Sequence, residues 1–277
     1  MNKIVLITGA SAGIGKATAL LLLEKGYIVY GAARRVEKMN DLLAMGAKIL
    51  AMDVTDETSM TSGIDTIIRT EGRIDVLINN AGFGSYGALE DVPISDARYQ
   101  LEVNLFGPAR LTQLVLPHMR RQGSGKIINV SSIGGKAAMP LGGWYHASKF
   151  ALEAYSDSLR MEVRPFGIDV IVIEPGGIQS EWGDIATNNM IKVSAGTAYK
   201  TLIDGAVRMT EKMKANKKAA APPGLIADLI HKAVTAAEPG TRYSAGYMSG
   251  TVLFMKKWLS DKMMDKMILR SILSSNS

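Results

Sequence analysis

Two side chains in this sequence are spaced for proton chemistry. Tyr145 and Lys149 stand four residues apart, in Tyr145-His146-Ala147-Ser148-Lys149, and on a helix that spacing puts them on one face. An ammonium beside a phenol favours the phenolate and lowers a pKa that starts near 10, so the pair is expected to work as a general acid or base near neutrality. Ser132 lies thirteen residues before the tyrosine, in Val130-Ser131-Ser132-Ile133-Gly134. His146 is adjacent to Tyr145 but rotated by ~100° along a helix, so it is not assigned to the chemistry. His118 and His231 have no motif around them.

A second group of residues is suited to holding an anion. Thr8-Gly9-Ala10-Ser11-Ala12-Gly13-Ile14-Gly15 follows a short apolar run and opens a helical segment. Glycines there allow a tight turn and close approach of a pyrophosphate, and the helix N-terminus favours negative charge. Gly9, Ser11, Ala12, Gly13, Ile14 and Gly15 are therefore candidate nucleotide contacts. Gly9-Ala10-Ser11-Ala12-Gly13 also reads as a G-x-S-x-G nucleophile elbow, but a hydrolase needs several strands before its elbow and only one precedes Ser11. The second apolar run ends in Arg34-Arg35, with no acid before Glu37. An acid there would select a ribose 2′-hydroxyl; two guanidiniums fit a 2′-phosphate, so NADP(H) is the expected cofactor. Asp53 follows the third run, where it is placed to contact the adenine amino group. Asn79-Asn80-Ala81-Gly82 supplies a small-residue turn where the backbone can meet a ligand, with Asn80, Ala81 and Gly82 as candidates.

Composition narrows the field. The chain has 277 residues, 47% hydrophobic and 21% charged, which is globular. No cysteine is present, so thiolate nucleophiles, disulfides and zinc–cysteine sites are excluded. The three histidines have no metal-ligand spacing, so no metal is expected. The net charge of +6 is spread along the chain without a basic run, which does not suit nucleic acid. No apolar run approaches the ~18 residues of a membrane span, and the N-terminal run is too short for a signal peptide, so a cytoplasmic location is expected.

The elements that must position these residues alternate. Apolar runs at 3–8, 27–31, 47–52, 74–78, 126–130, 169–173 and 242–244 predict strands covered on both faces. Helical segments are predicted at 14–25, 36–45, 57–70, 95–121, 145–164 and 225–237. The pattern is that of an α/β protein, a Rossmann-type doubly wound parallel sheet of about seven strands in one domain, residues 1–250. Residues 178–223 break the rhythm and are expected to be a substrate loop. Residues 251–277 form an amphipathic C-terminal extension, helical over 251–273, where Met255, Leu259, Met263 and Met267 repeat every four residues beside Lys256, Lys257, Lys262 and Lys266. The tail is expected to pack on its own chain or a partner subunit, with peripheral membrane contact as the alternative.

Taken in order and spacing, Thr8–Gly15, Asn79–Gly82, Asn104, Ser132, Tyr145/Lys149 and Pro175-Gly176 resemble the short-chain dehydrogenase/reductase family, strongly over residues 3–180 and loosely over 220–245. The resemblance implies an Asn–Ser–Tyr–Lys tetrad. Tyr145 would exchange a proton with the substrate oxygen and Ser132 would orient that oxygen. Lys149 would bind the nicotinamide ribose and lower the Tyr145 pKa. Asn104 would hold a water relaying protons from Lys149. Val54, Pro175, Gly176 and Ile178 join the implied cofactor contacts. Met139, Leu141, Trp144 and Trp182 join Ser132 and Tyr145 around the substrate, with Ile185, Met190 and Ile191 completing an apolar wall. The segment between Ser132 and Tyr145 carries one basic residue, Lys136, so a hydrophobic ketone or aldehyde fits better than an anionic one. The implied activity is NADP(H)-dependent interconversion of such a carbonyl and its alcohol, by a homodimer or homotetramer. A looser likeness reaches the hydroxysteroid, retinol and acyl-dihydroxyacetone-phosphate reductase group. A 3-oxoacyl thioester reductase and a non-catalytic nucleotide sensor are the alternatives.

Overall fold

The computed structural model describes residues 2–179, 182–215 and 220–274, apart from the side chains of Trp182 and Lys214. In chain order the elements are β1 (Ile4–Thr8), α1 (Gly13–Glu24), β2 (Ile28–Ala33), a 3-10 turn (Val36–Met39), α2 (Asn40–Ala44), β3 (Lys48–Ala51), α3 (Glu57–Glu71), β4 (Val76–Asn79), α4 (Ile94–Leu101), a π-helical segment (Glu102–Phe106) and α5 (Gly107–Gln122). They continue with β5 (Gly125–Val130), a 3-10 turn (Ile133–Gly135), α6 (Gly143–Val163), β6 (Ile168–Pro175), α7 (Trp182–Ser194), α8 (Lys200–Ala215), α9 (Pro223–Thr235), β7 (Arg242–Ala245), α10 (Ser249–Trp258) and α11 (Asp261–Leu273).

The seven strands form one parallel sheet in the order β3-β2-β1-β4-β5-β6-β7. All seven expected strands are present, and the fold is the Rossmann-type α/β arrangement. Alternate residues of β1 show why its run is apolar without interruption. Ile4 and Leu6 pack with α3, α5 and α6 through Ile64, Ile67, Leu111, Val115 and Leu159. Val5 and Ile7 face the opposite layer, with Leu22 of α1 and Ile226 and Ile230 of α9. A strand sandwiched between two helical layers has no wet face on which to place a polar residue. Strand order reverses at β1, between β2 and β4, and at such a switch point the crevice outside the strand C-termini is the natural ligand site.

Three elements depart from expectation. The helix predicted at 95–121 is interrupted by the π-helical segment, which contains Asn104; a fully buried, multiply hydrogen-bonded side chain at that turn accounts for the wider winding. Within 178–223, the expected substrate loop contains the helices α7 and α8 instead. Ala186 and Met190 are buried on α7 and Ile203 on α8, a helical spacing that lies hidden in a stretch rich in Ala, Met and Lys. The tail is two helices rather than one. Leu259 is extended, with φ −95° and ψ 145°, and Ser260 opens α11. Met264 and Ile272 of α11 are buried, so the tail packs on its own chain, with α11 against α8. Among the described residues no helix is long and apolar enough to cross a membrane.

Candidate active site

The candidate residues arrive at one edge of the sheet because each follows the C-terminal end of a strand. Gly9–Gly15 leaves β1, Asn80–Gly82 leaves β4, Ser131 and Ser132 leave β5, and Gly176 leaves β6. The turn after β1 is shaped by glycine. Gly9 has φ +69°, and a Cβ on Gly15 would lie 2.4 Å from the Asn80 amide nitrogen and 2.5 Å from the Gly9 carbonyl oxygen. The turn is clamped to β4. Thr8 Oγ1 accepts hydrogen bonds from the backbone N–H of Asn80 and of Ala81, both at 3.0 Å, and Asn80 Nδ2 donates to the Thr8 carbonyl at 2.9 Å. Asn80 thus braces the turn through its side chain. Ser11, Ala12 and Gly13 line an open cleft with Lys16, Lys38, Gln179 and Pro223. A glycine cradle with free approach to the first turn of α1 fits a dinucleotide pyrophosphate.

At the end of β2, Arg34 donates from Nη1 to the Tyr99 hydroxyl at 2.9 Å and lies 3.9 Å from Asp53. Its side chain remains 66% exposed, so the guanidinium is available at the rim. Asp53 is turned toward its own backbone: Oδ1 accepts from Thr55 N at 3.0 Å and Thr55 Oγ1 at 2.8 Å. Val54 packs in the core.

The proton-handling residues converge on α6. Tyr145 and Lys149 are both buried on it. The Tyr145 hydroxyl hydrogen-bonds Ser132, whose Oγ also accepts from Gly134 N at 3.0 Å. Lys149 Nζ donates to the Val130 carbonyl at 2.8 Å and lies 6.0 Å from the Tyr145 ring centre. Asn104 is fully buried. Its Oδ1 accepts from Phe83 N at 3.0 Å, and its Nδ2 donates to the Phe83 carbonyl at 2.9 Å and to Ser148 Oγ at 3.0 Å. The tetrad named from sequence therefore occupies one neighbourhood.

One electrostatic expectation is corrected. Burial pushes the Tyr145 phenol up from its ordinary value, and the hydrogen bond to Ser132 offsets only part of this. Desolvation outweighs the effect expected of Lys149, whose own pKa burial pulls down to about 8 against the raising influence of Glu153. A phenol held protonated beside a serine hydroxyl is a proton donor, which suits reduction of a carbonyl.

A sequence model of short chain dehydrogenases matches residues 3–189. The chain belongs to the short-chain dehydrogenase family. It is 39% identical to a 3-ketodihydrosphingosine reductase of Bacteroides thetaiotaomicron over 95% of both chains. It is 31% identical to an NADPH-dependent 3-dehydrocapnine reductase of Ornithobacterium rhinotracheale, covering 98% of this chain and 97% of that one. Among solved structures, a short-chain dehydrogenase of Streptomyces avermitilis superposes with a TM-score of 0.80 at 31% identity, covering 100% of this chain and 98% of that one. Members of this family are oxidoreductases that bind a nicotinamide cofactor.

The outer wall of this short-chain dehydrogenase site is less uniform than the sequence suggests. Leu141 is buried in a cluster with Ala88, Met190 and Ile203, and holds φ +68°, a strained backbone for leucine. Met139 is exposed, as are Ile185 and Ile191. Trp144 is half-buried, and its Nε1 has no hydrogen-bond partner among the described residues. The side chain of Trp182 lies outside the described residues. Ile178 packs against the α1–α9 layer, and Gly176 N donates to the Ala245 carbonyl at 2.8 Å, so the segment after β6 is pinned to the end of β7. Tyr86 was not legible in the sequence. Its ring centre lies 5.8 Å from that of Tyr145, and burial and the neighbouring phenol hold its own hydroxyl well above the usual range. Ser148 and Phe83, which hold Asn104, were also missed. The Y-x-x-x-K spacing already put Ser148 beside Lys149, but nothing in sequence tied it to residue 104.

Proposed function

We propose that the protein is an NADP(H)-dependent carbonyl reductase that converts a hydrophobic ketone or aldehyde to its alcohol. The observation that carries this is a buried Tyr145, kept protonated, hydrogen-bonded to Ser132 and one helical turn from Lys149, at the sheet edge that holds the glycine cradle. The bound cofactor would supply a hydride. The protein's part is to orient the carbonyl oxygen with Ser132 Oγ and give it the Tyr145 proton. Lys149 would hold the ribose, and Asn104 would keep the α4–α5 turn in place with a proton path toward Lys149. Arg34 and Arg35 would bind the 2′-phosphate and Ser11 with its glycine neighbours the pyrophosphate, with Asp53 and Val54 beside the adenine and Pro175 to Ile178 beside the nicotinamide. The name of the NADPH-dependent relative supports the cofactor assignment.

The substrate would lie under α7 and α8, against Leu141, Trp144, Met139 and the start of α7. The apolar cluster of Ala88, Leu141, Met190 and Ile203 supports a hydrophobic substrate, as do the names of the keto and dehydro reductases among the relatives. A homodimer or homotetramer in the cytoplasm is the proposed assembly; Phe150 and Met161 stand exposed on one face of α6. The test is NADPH oxidation at 340 nm against long-chain ketones, long-chain aldehydes, steroids and acyl thioesters, with Tyr145→Phe as control. Turnover by the wild type on an apolar ketone or aldehyde is expected, with a loss of ~10²–10⁴-fold in the variant and near-normal NADPH binding. A variant retaining most of the rate would sink the role of Tyr145.

A further inference from the structure

The turn that begins at Ser132 runs through Ile133, Gly134 and Gly135 and lies flush on α6. A methyl group on Gly134 would come within 2.9 Å of His146 Nδ1 and 3.2 Å of Tyr145 Cε1. One on Gly135 would come within 2.8 Å of Ser131 Oγ and 3.1 Å of the Lys149 carbonyl oxygen. Glycine permits this approach, but two successive glycines give a backbone with little restraint of its own. Within the turn, Gly135 N donates to the Ser132 carbonyl at 2.8 Å, and Lys136 N and Ala137 N donate to the Ile133 carbonyl, each at 3.0 Å. The Gly134 carbonyl is held from outside the turn, by His146 Nδ1 at 2.9 Å. The Gly134 N–H in turn donates to Ser132 Oγ at 3.0 Å. At the far end of the turn, Lys136 is paired with Glu153 of α6 at 2.8 Å.

His146 is only 6% exposed, and its ring stands edge-on to that of Tyr145 with centres 5.6 Å apart. A carbonyl oxygen can only accept, so Nδ1 carries the ring hydrogen. Nε2 is buried and has no hydrogen-bond partner among the described residues, and a methyl group on Gly142 would come within 2.9 Å of it. A hydrogen on Nε2 would be a buried donor without an acceptor, so the neutral form with hydrogen on Nδ1 is the one these surroundings accept. Burial likewise pulls the His146 pKa below its ordinary value, against the raising effect of the Gly134 bond. We propose that His146 is a positioning residue for the reaction: its Nδ1–H holds the Gly134 carbonyl and so fixes the residue whose N–H orients the Ser132 hydroxyl. With one lone pair of Oγ taken by Gly134, Ser132 keeps its own hydrogen and a second lone pair for Tyr145 and the substrate oxygen. His146 acts through Ser132 and exchanges no proton itself. This role rests on the carbonyl-reductase reading of Ser132 and Tyr145.

Leucine and asparagine are close in size, and only asparagine can place an N–H donor where Nδ1 stands. His146→Leu is expected to lower kcat about tenfold with NADPH affinity little changed, because the loss lies in the alignment of Ser132 and not in the cofactor site. His146→Asn should restore much of the rate. A role in packing alone would leave the two variants alike. In a Ser132→Ala background, His146→Leu should cost less than about twofold, since a residue that acts through Ser132 then has nothing to act on. The tautomer is read without turnover, from long-range 1H–15N spectra of histidine-labelled protein, the His146 signals assigned by their loss in His146→Asn. Hydrogen on Nδ1 is expected. A loss in His146→Leu that asparagine repairs and Ser132→Ala abolishes supports the role. Hydrogen on Nε2, equal rates in the two variants, or an undiminished loss in the Ser132→Ala background each overturns it. Should His146→Leu fail to fold, His146→Gln takes its place under the same criteria, because its amide reaches the Nε2 end and leaves the Gly134 carbonyl unheld. A wild type that reduces nothing with NADPH would sink the reductase reading and this role together; turnover with any of the three contrary results overturns the role of His146 alone.

Discussion

Lys149 and Tyr145 respond to the same burial in opposite directions, and this sets the pH behaviour of the site. Removing water disfavours whichever form is charged, so the phenol is pushed up and the ammonium is pulled down to about 8. As pH rises, Lys149 therefore loses its charge first, while Tyr145 still carries its proton. The rate of carbonyl reduction is expected to fall above about pH 8, with the limb belonging to Lys149. A pH profile of kcat/KM checks this, and Lys149→Arg tests the assignment: a guanidinium stays charged, so any residual activity should lose the limb. A limb that survives that substitution would assign it to another group. The residue types and their spacing were legible in the sequence because Tyr145, Lys149 and Ser132 need only a helix and a strand end to meet. The sign of the Tyr145 shift was not, because desolvation depends on what covers the phenol, and the cover comes from Ser132, Tyr86 and distant segments.

At the level of elements, the interrupted helix from Ile94 to Gln122 shows how one polar side chain bends local structure toward function. The apolar spacing at 95–121 reports a helix correctly, yet cannot report that Asn104 satisfies both backbone groups of Phe83. Asn104→Ala would leave the Phe83 N–H without its partner, leave the Phe83 carbonyl with the longer bond from Gln100 Nε2 at 3.4 Å, and remove the contact to Ser148. A loss of about 1–3 kcal/mol is expected for the unsatisfied groups, with the π-helical turn tightening toward α-helix. Thermal melting and activity measured together check it; a variant with unchanged melting would mean that the turn is set by something else. The end of β2 offers a separate test. Arg34 is exposed at the rim beside Tyr99 and Asp53, and replacing Arg34 and Arg35 together with alanine tests the pair as a phosphate site. It should weaken NADPH by about 1.5–3 kcal/mol and NADH far less, the difference being a charge-assisted phosphate contact. Equal weakening of both cofactors in a binding titration would make the arginines structural. The strands and the glycine turn were readable because buried parallel strands tolerate little but apolar residues. Residues 178–223 were not, because α7 and α8 hide only a narrow apolar stripe, which sequence alone leaves without a partner.

Across the whole molecule, the C-terminal extension joins parts that are far apart in sequence. α11 covers α8, which itself roofs the cluster containing Leu141, and α10 approaches the end of β7 and the Ile133–Gly135 turn. The buried face is apolar, with Met264 and Ile272 inside, while Phe254 and Trp258 of α10 stand 66% exposed beside Lys256 and Lys257. The inner face therefore serves packing, and the outer aromatic–basic face is where a lipid surface would act if the tail served as an anchor. Ending the chain after Gly250 removes the cover from α8. Losing the burial of Met264 and Ile272 is worth about 1.5–3 kcal/mol for each side chain as an upper bound. A fall in melting temperature on the order of 10 °C is expected for a chain of this size. The glycine cradle is built by β1, α1 and β4, whereas the tail packs on α8, the end of β7 and the Ile133–Gly135 turn, so NADPH binding should survive. Activity on bulky apolar substrates should fall, because the roof made by α7 and α8 loses its outer support. Melting curves, NADPH titration and kinetics on a long-chain and a short-chain carbonyl separate these effects. Unchanged melting and kinetics, with binding to anionic vesicles lost on truncation, would overturn packing as the purpose of the tail and make its outer face a membrane contact.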